Sequence, residues 1–509
     1  MPLRSHTNLG QLFAASAGMR AGRDLIVDAR WRLDGRVAER ETVRRAALLA
    51  DAGVRFGGRV AFLCRPSAAH AVTWFAAVRL GAAATNLHVL ETDRRLAETL
   101  DWLEADALVC DQEFLDRARA IQAETTTQPH LRVLDADPSS PTTLAEGREG
   151  NAAPALDRAS RDDVAAICLS SGSTGRPKGA IHTHGSLLAN AAAGPEVYGE
   201  ITAFDSVLVA IGTSFGGWLN IVLPFLGAGA KLVFQPRFEP QDFLRGLAAE
   251  RITHAPLVPT MWRHVLAAGP EDHDLSALRS AFMSGEAAGA DVVEAVLARM
   301  APSVRSAYLS TEGGCACGIV AEQRRGEPLA GPGGLPVPGC ELRIAPAEGG
   351  PESEGEILLR APSLAKGYWK DAERTARCFK DGWWRTGDVG RLSPDGRIAL
   401  AGRVDHVINS GGIKIQAEEV ELALMRHPNV AQAAVIGVPD PEWGQRVEAF
   451  VVPKAAQLDP GAVLEWCRDD GILPALKLPK RIHVRDRLPT GATGKLYRPA
   501  LFPEAGALR

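Results

Sequence analysis

Short apolar runs alternate with helix-length segments through much of the chain, and this alternation restricts the fold more than any other feature. Val60–Cys64 reads as a buried strand, Ser67 as the cap of a helix reaching Leu80, and Gly81 as its stop. Ala82–Asn86 reads as the next strand, Asp93–Leu103 as a helix and Ala107–Cys110 as a strand. Strands joined through helices run parallel, so parallel sheets with helices packed on their faces are expected. The alternation resumes after residue 200 and continues to about 320. A chain of 509 residues exceeds one ordinary core, so two or more compact units are expected.

The second half changes character. Asp135 to Asp163 is rich in Asp, Pro, Ser, Thr and Gly and reads as a long surface connection. Around Gly331–Glu356 glycine and proline punctuate short strands. Glu356–Arg360, Arg391–Ser393 and Arg397–Ala401 suggest a β-rich subdomain, with Pro394-Asp395-Gly396 as a turn. Past Arg403 a small α/β piece follows. These readings give an α/β fold: residues 1–404 with two parallel sheets, packed helices and the β-rich subdomain, and residues 405–509 as a smaller C-terminal domain.

Composition removes several function classes. Hydrophobic content of 46% and charged content of 23% are those of a globular protein. A net charge of −4 argues against nucleic acid or an anionic membrane surface as the main partner. Ser206 to Ala230 carries no charged residue, but its glycines, Pro224 and hydroxyls break it into a strand (Val207–Ile211) and a short helix (Trp218–Leu226) rather than a membrane span. The opening residues lack the pattern of a signal peptide. The eight cysteines are scattered without zinc spacing, which favours free thiols and a cytoplasmic location.

The chemistry concentrates in a few motifs. The apolar strand Val164–Leu169 runs into Ser170, Ser171, Gly172, Ser173, Thr174, Gly175, Arg176, Pro177, Lys178 and Gly179. Glycine lets successive N–H groups face one anion, while the hydroxyls and two cations add donors and positive charge. The spacing is not that of the common P-loop, and Pro177 disfavours helix at Arg176, so a mobile flap over a polyphosphate is expected rather than a helix-start cradle. Tyr308-Leu309-Ser310-Thr311-Glu312 places a carboxylate after hydroxyls, a donor set that suits Mg²⁺. Ser284-Gly285-Glu286-Ala287 offers small residues beside which a flat base could lie against Tyr308. Asp388 could accept from ribose hydroxyls. Ile408-Asn409-Ser410-Gly411-Gly412-Ile413-Lys414 is a second glycine loop, and Lys495 closes a third glycine- and threonine-rich stretch.

Taken in this order, the motifs resemble those of the acyl-adenylate-forming (AMP-binding) enzymes over almost the whole chain, in the acyl-CoA synthetase branch. The resemblance implies an ATP-dependent ligase that joins a carboxylic acid to AMP with release of pyrophosphate, then passes the acyl group to coenzyme A. It implies that Ser171 to Lys178 hold the β- and γ-phosphates, with Ser170 beside them at the nucleotide, and that Thr311 and Glu312 serve phosphate and Mg²⁺. Gly285, Glu286, Ala287 and Tyr308 match the adenine slot. Asp388 and Arg403 match the ribose pair, and Asp405 the hinge before a mobile C-terminal domain. Gly411, Gly412 and Lys414 match the loop that meets CoA, and Lys495 the adenylation lysine. Phe215, Gly216, Trp218, Thr260 and Leu309 are candidates for the acyl pocket. Relatives usually carry glycine where this chain has Leu309, so a shortened or reshaped pocket is expected, suited to short, medium, branched or cyclic acids, aromatic ones included. A separate carrier protein as thiol acceptor, a non-catalytic nucleotide-binding relative and a homodimer are the open alternatives.

Overall fold

The computed structural model describes residues 6–134, 144, 154–170, 178–214, 216–286, 288–327, 333–346, 351–411, 413–454, 458–469, 472–490 and 496–502. It divides into two compact units. The first comprises Met1–Leu342 and Leu359–Trp384, the second Arg343–Leu358 and Arg385–Arg509. The β-rich strand segments therefore group with the C-terminal residues.

Among the described residues of the first unit, fifteen strands form two sheets. In chain order they are β1 (Asp24–Val27), β2 (Arg32–Asp34), β3 (Arg59–Leu63), β4 (Ala83–Asn86), β5 (Ala107–Asp111), β6 (His130–Leu134), β7 (Val164–Ser170), β8 (Lys178–Thr183), β9 (Ser206–Val209), β10 (Lys231–Phe234), β11 (His254–Leu257), β12 (Ser280–Ser284), β13 (Ser303–Tyr308), β14 (Ile319–Arg324) and β15 (Leu335–Pro336). One sheet has the order β6-β5-β3-β4-β7-β8, the other β15-β14-β13-β12-β11-β9-β10-β1-β2. Their centres are parallel, as the alternation requires. The departures sit at the edges: β8 runs antiparallel to β7, β2 to β1, and β14 and β15 to their neighbours. Connections of about four to ten residues explain them, since a parallel return needs a longer crossover.

Local signals act as expected. Ser67 accepts from the His70 N–H and caps the helix Ala68–Arg79, every residue of which is buried. A helix enclosed on all sides cannot be amphipathic; its sequence is mostly apolar, and its His70, Thr73 and Arg79 are each hydrogen-bonded. The uncharged stretch after Ser206 forms β9 and the helix Gly216–Gly227. Among the described residues no helix is long and apolar enough to cross a membrane.

The second unit contains strand segments of β16 (Glu341–Pro346), β17 (Glu354–Arg360) and, beyond the short β18 (Phe379–Lys380), of β19 (Trp383–Leu392), together with β20 (Ile398–Arg403). β20 runs antiparallel to β19 and sets Arg403 opposite Asp388. A further sheet follows, formed by β21 (Val407–Ser410), β22 (Ile413–Gln416), β23 (Val430–Asp440), β24 (Gly444–Pro453) and β25 (Arg481–Val484), in the order β22-β21-β24-β23 with β25 on β24. Its apolar face packs on the helix Ala417–Met425 through Val420, Leu424, Val435 and Val447.

Candidate active site

In the first unit, candidate residues gather at the carboxyl ends of neighbouring parallel strands. Thr260 follows β11, Gly285 follows β12 and Tyr308 ends β13. Open α/β sheets bind ligands at this edge, where loops diverge. The register places Ser284 opposite Ala307, so Gly285 and Tyr308 emerge side by side. Gly285 has φ +89°, a left-handed conformation that favours glycine. Glu286 accepts from the Thr260 hydroxyl at 2.8 Å, joining an expected nucleotide residue to an expected pocket residue.

The phosphate motif lies on a hairpin. Ser170 pairs with Lys178 and Leu169 with Gly179, so strand, not helix, follows the motif. Ser171 to Gly175 lie outside the described residues, as do Phe215, Ala287, Gly412 and Lys495. A Cβ on Gly179 would come within 2.7 Å of both the Ile167 side chain and the Trp102 ring, so the strand packs too closely there for a side chain.

The Ser310–Gly314 segment is fixed from several directions. Its three consecutive carbonyls at 311, 312 and 313 each accept from a donor far away in sequence. His182 Nε2 donates to the Thr311 oxygen at 2.8 Å. The Ala365 N–H donates to the Glu312 oxygen at 2.8 Å, and the Ser363 hydroxyl donates to the Gly313 oxygen. Within the turn, Gly313 N–H donates to Ser310 Oγ at 2.9 Å. Below it, Cys315 N–H donates to Asn190 Oδ1 at 2.7 Å, and Asn190 Nδ2 to Asn220 Oδ1 at 3.0 Å. Such a loop pays no ordering cost when a ligand arrives.

The electrostatics agree with this rigidity. Burial lowers His182 to about 4, so the ring is neutral; Nε2 carries the proton for the Thr311 carbonyl, and Nδ1 lies 3.2 Å from the Ser186 hydroxyl. Burial, and then the Glu312 charge, push the Cys168 thiol up to about 12 and keep it protonated. The Tyr368 hydroxyl donates to Glu312 Oε1 at 3.0 Å. Burial first, and Glu312 second, raise the Tyr368 phenol well above its usual range.

The expected acyl-pocket residues separate into two groups. A Cβ on Gly216 would lie 3.0 Å from the Thr311 hydroxyl, and Leu309 Cδ2 approaches Gly318. These two adjoin the Ser-Thr-Glu segment. Trp218 is completely buried, with its ring 5.0 Å from His70 and 5.7 Å from Trp74 between centroids. A small cavity lined by Asn86, Cys168, Thr213, Ser214 and Gly216 lies nearby.

In the second unit, Arg403 joins two expected residues. Its Nη1 donates to Asp388 Oδ1 at 2.9 Å and its Nε to Asp405 Oδ1 at 2.8 Å. Burial opposes ionisation of Asp405, but the Arg403 hydrogen bond and charge outweigh it and hold this carboxyl below its ordinary value. Gly411 has φ +58° and donates its N–H to the Trp443 carbonyl at 2.8 Å. Lys414 pairs with Asn409 across the β21–β22 hairpin. Next to Lys495, Leu496 bridges to Thr490 and Tyr497 N–H donates to the Pro489 carbonyl at 2.8 Å.

The comparisons with known proteins follow this arrangement. The sequence model of the AMP-binding enzyme family matches residues 13–369, and that of the AMP-binding enzyme C-terminal domain matches residues 419–495. The chain belongs to the AMP-binding enzyme family. A feruloyl-CoA synthase of Amycolatopsis is 34% identical over 90% of this chain and 92% of that protein. An indoleacetate–CoA ligase of Aromatoleum aromaticum is 33% identical over 89% of this chain and 90% of its own length. Among solved structures, an anthranilate CoA ligase in complex with anthranoyl-AMP superposes with a TM-score of 0.86 at 27% identity, covering 100% of this chain and 99% of that one. The fold of this AMP-binding enzyme is thus that of the adenylate-forming acid–CoA ligases.

Sequence reasoning missed His182, Ser363 and Tyr368, which hold the Ser-Thr-Glu segment, and Arg498, which bonds Glu421 beyond the expected lysine. His182 stands four residues beyond Lys178, whereas Tyr368 meets the motif residues only in space. Their roles depend on partners 129 and 56 residues away.

Proposed function

We propose that this AMP-binding enzyme activates a carboxylic acid with ATP, forming acyl-AMP and pyrophosphate, and transfers the acyl group to coenzyme A. The observation that carries this reading is the thrice-clamped carbonyl ladder at 311–313, which presents Thr311 and Glu312 beside Tyr308 at the carboxyl edge of the sheet. A carboxylate approaching a triphosphate meets like charge, and two unit charges at 4 Å repel by roughly 4 kcal/mol at an effective dielectric near 20. Lys178 and Lys495 would oppose that repulsion, and Tyr308 with Gly285 would seat the base. Asp388, held by Arg403, would accept from the ribose.

The oxygen donors of Glu312 and Thr311 suit Mg²⁺, which prefers hard ligands. When bound there, the ion would neutralise phosphate charge. The carboxylate oxygen of the acid attacks the α-phosphorus, the bond to the β-phosphate oxygen breaks, and pyrophosphate leaves. The thiol of CoA then attacks the acyl carbon and AMP departs. Lys495 serves the first step, while Gly411, Gly412 and Lys414 serve the second. We keep Asp405 as the pivot that exchanges them, with residues 1–404 and 405–509 as the moving bodies.

We place the substrate among ring-bearing acids. The feruloyl, indoleacetate and anthranilate ligases among its relatives, together with Leu309 in place of the usual glycine, support this. A panel of aromatic, alicyclic, branched and straight-chain acids, scored for pyrophosphate release and then for CoA thioester by mass, tests the reading. Thioester with ring acids is the expected result. Pyrophosphate release without thioester would overturn CoA as the acceptor.

A further inference from the structure

We propose that Tyr368 is a positioning residue that aims the Glu312 carboxylate at the metal–triphosphate; this rests on the reading of Glu312 given above. Tyr368 lies on the segment 365–369, which no motif of the nucleotide site includes. That segment runs beside β8, the strand leaving the phosphate motif: Lys366 N–H donates to the Ile181 carbonyl, Ile181 N–H to the Gly367 carbonyl, and Trp369 N–H to the Gly179 carbonyl, at 2.8 to 2.9 Å. Ala180 and Tyr368 form a β-bridge. The same segment reaches the Ser-Thr-Glu turn, through the Ala365 N–H to the Glu312 carbonyl. One short stretch of backbone therefore fixes the distance between the phosphate hairpin and the acidic turn.

The side chain completes the link. Tyr368 Oη donates to Glu312 Oε1 at 3.0 Å, and among the described residues it is the only side chain that hydrogen-bonds this carboxylate. With Oε1 held, the carboxylate cannot rotate freely, and its other oxygen remains available to a ligand. The ring itself is fixed: Tyr368 N–H donates to Thr375 Oγ1 at 2.9 Å, the Phe379 ring centroid lies 5.6 Å away, and the residue is 6% exposed. A fixed phenol transmits its position to the carboxylate, whereas a mobile one would not.

Replacing Tyr368 by Phe removes the hydroxyl and keeps the ring. Equilibrium binding, followed by titration calorimetry, then separates the outcomes: ATP with Mg²⁺, ATP with chelator, and AMP, for the wild type, Tyr368→Phe and Glu312→Gln. A hydrogen bond to a charged group predicts that Tyr368→Phe weakens ATP with Mg²⁺ roughly tenfold, while metal-free ATP and AMP change less than about twofold. Glu312→Gln should weaken ATP with Mg²⁺ at least as much. Unchanged binding in Tyr368→Phe, with loss in Glu312→Gln, overturns the positioning role and leaves the reading of Glu312 intact. Unchanged binding in Glu312→Gln overturns that reading and the inference with it. Equal weakening of all three ligands in Tyr368→Phe, with a lowered melting temperature, would make Tyr368 a packing residue only and also overturn the inference.

Discussion

Arg498 donates through Nη2 to both carboxylate oxygens of Glu421 at 2.7 Å. The same group lies 3.3 Å from Glu418, which accepts from His406 at 2.5 Å, one residue beyond Asp405. Glu421 also accepts from the Val435 N–H at 2.7 Å. The end of the chain just past Lys495 is therefore tied to the helix Ala417–Met425, and through it to residues beside the proposed pivot.

This tie predicts a non-additive pair. The Arg498 and Glu421 side chains are only 16% and 9% exposed, so removing one partner strands the other. Arg498→Leu should destabilise the protein by about 3 kcal/mol, whereas Arg498→Leu combined with Glu421→Leu should recover a large part of the loss. Urea unfolding of the single and double variants checks this. Simple addition of the two single effects would show that the pair is not coupled.

The Thr311 clamp predicts a selective kinetic effect. His182→Gln retains an N–H that can reach the carbonyl, while His182→Leu removes it. We expect His182→Leu to lower kcat/KM for ATP roughly tenfold, as one lost buried hydrogen bond would, and His182→Gln to lose much less. Steady-state kinetics with ATP varied at saturating acid measure the difference. Equal losses in both variants would show that the hydrogen bond does not matter.

Leu309→Gly should widen the space beside Gly318 and Thr311 and extend the chain length of acid accepted. Relative kcat/KM across a series of straight-chain acids reads this out. An unchanged chain-length profile would remove Leu309 from the pocket.

Four buried histidines make the fold sensitive to acid. Burial lowers His70, His182, His184 and His254 from 6.5 to about 4. Above pH 6.5 the ring is neutral in folded and unfolded chains alike, so it contributes no pH dependence. Between pH 6.5 and about 4 the unfolded chain binds protons that the folded chain refuses. Stability should fall with pH over that window by up to about 1.4 kcal/mol per unit for each histidine. Unfolding free energies between pH 7 and 4.5 test it, and His182→Gln should lower the slope by close to one proton. An unaltered slope in that variant would show that His182 does not titrate this way.

Local structure was legible wherever short-range physics decides it. The helix Asp93–Leu103 has the expected ends, because Thr92 opens it and Glu104 closes it in the left-handed region. β3, β4 and β5 fall within a residue of the apolar runs that announce them. β19 was harder: Arg391–Ser393 was expected, but the strand is Trp383–Leu392 and runs on through Gly387 at φ +74°. The motif order singled out Thr311, Glu312, Asp388 and Arg403, and the fold sets the last two in hydrogen-bond contact. It could not locate Tyr368 or Arg498, whose roles exist only through partners brought together by the fold. Trp218, a candidate for the acyl pocket, is completely buried, a degree of enclosure that its sequence neighbours do not reveal.

In the proposed reaction a C-terminal lysine and the hairpin phosphate motif act on one triphosphate to make acyl-AMP. Acid-dependent exchange of labelled pyrophosphate into ATP, measured for the wild type and Lys495→Ala alongside thioester formation from presynthesised acyl-AMP and CoA, tests it most directly. Exchange is expected in the wild type, with its loss in Lys495→Ala and preserved thioester formation in that variant. Exchange that does not depend on the acid, or equal loss of both steps, would contradict it.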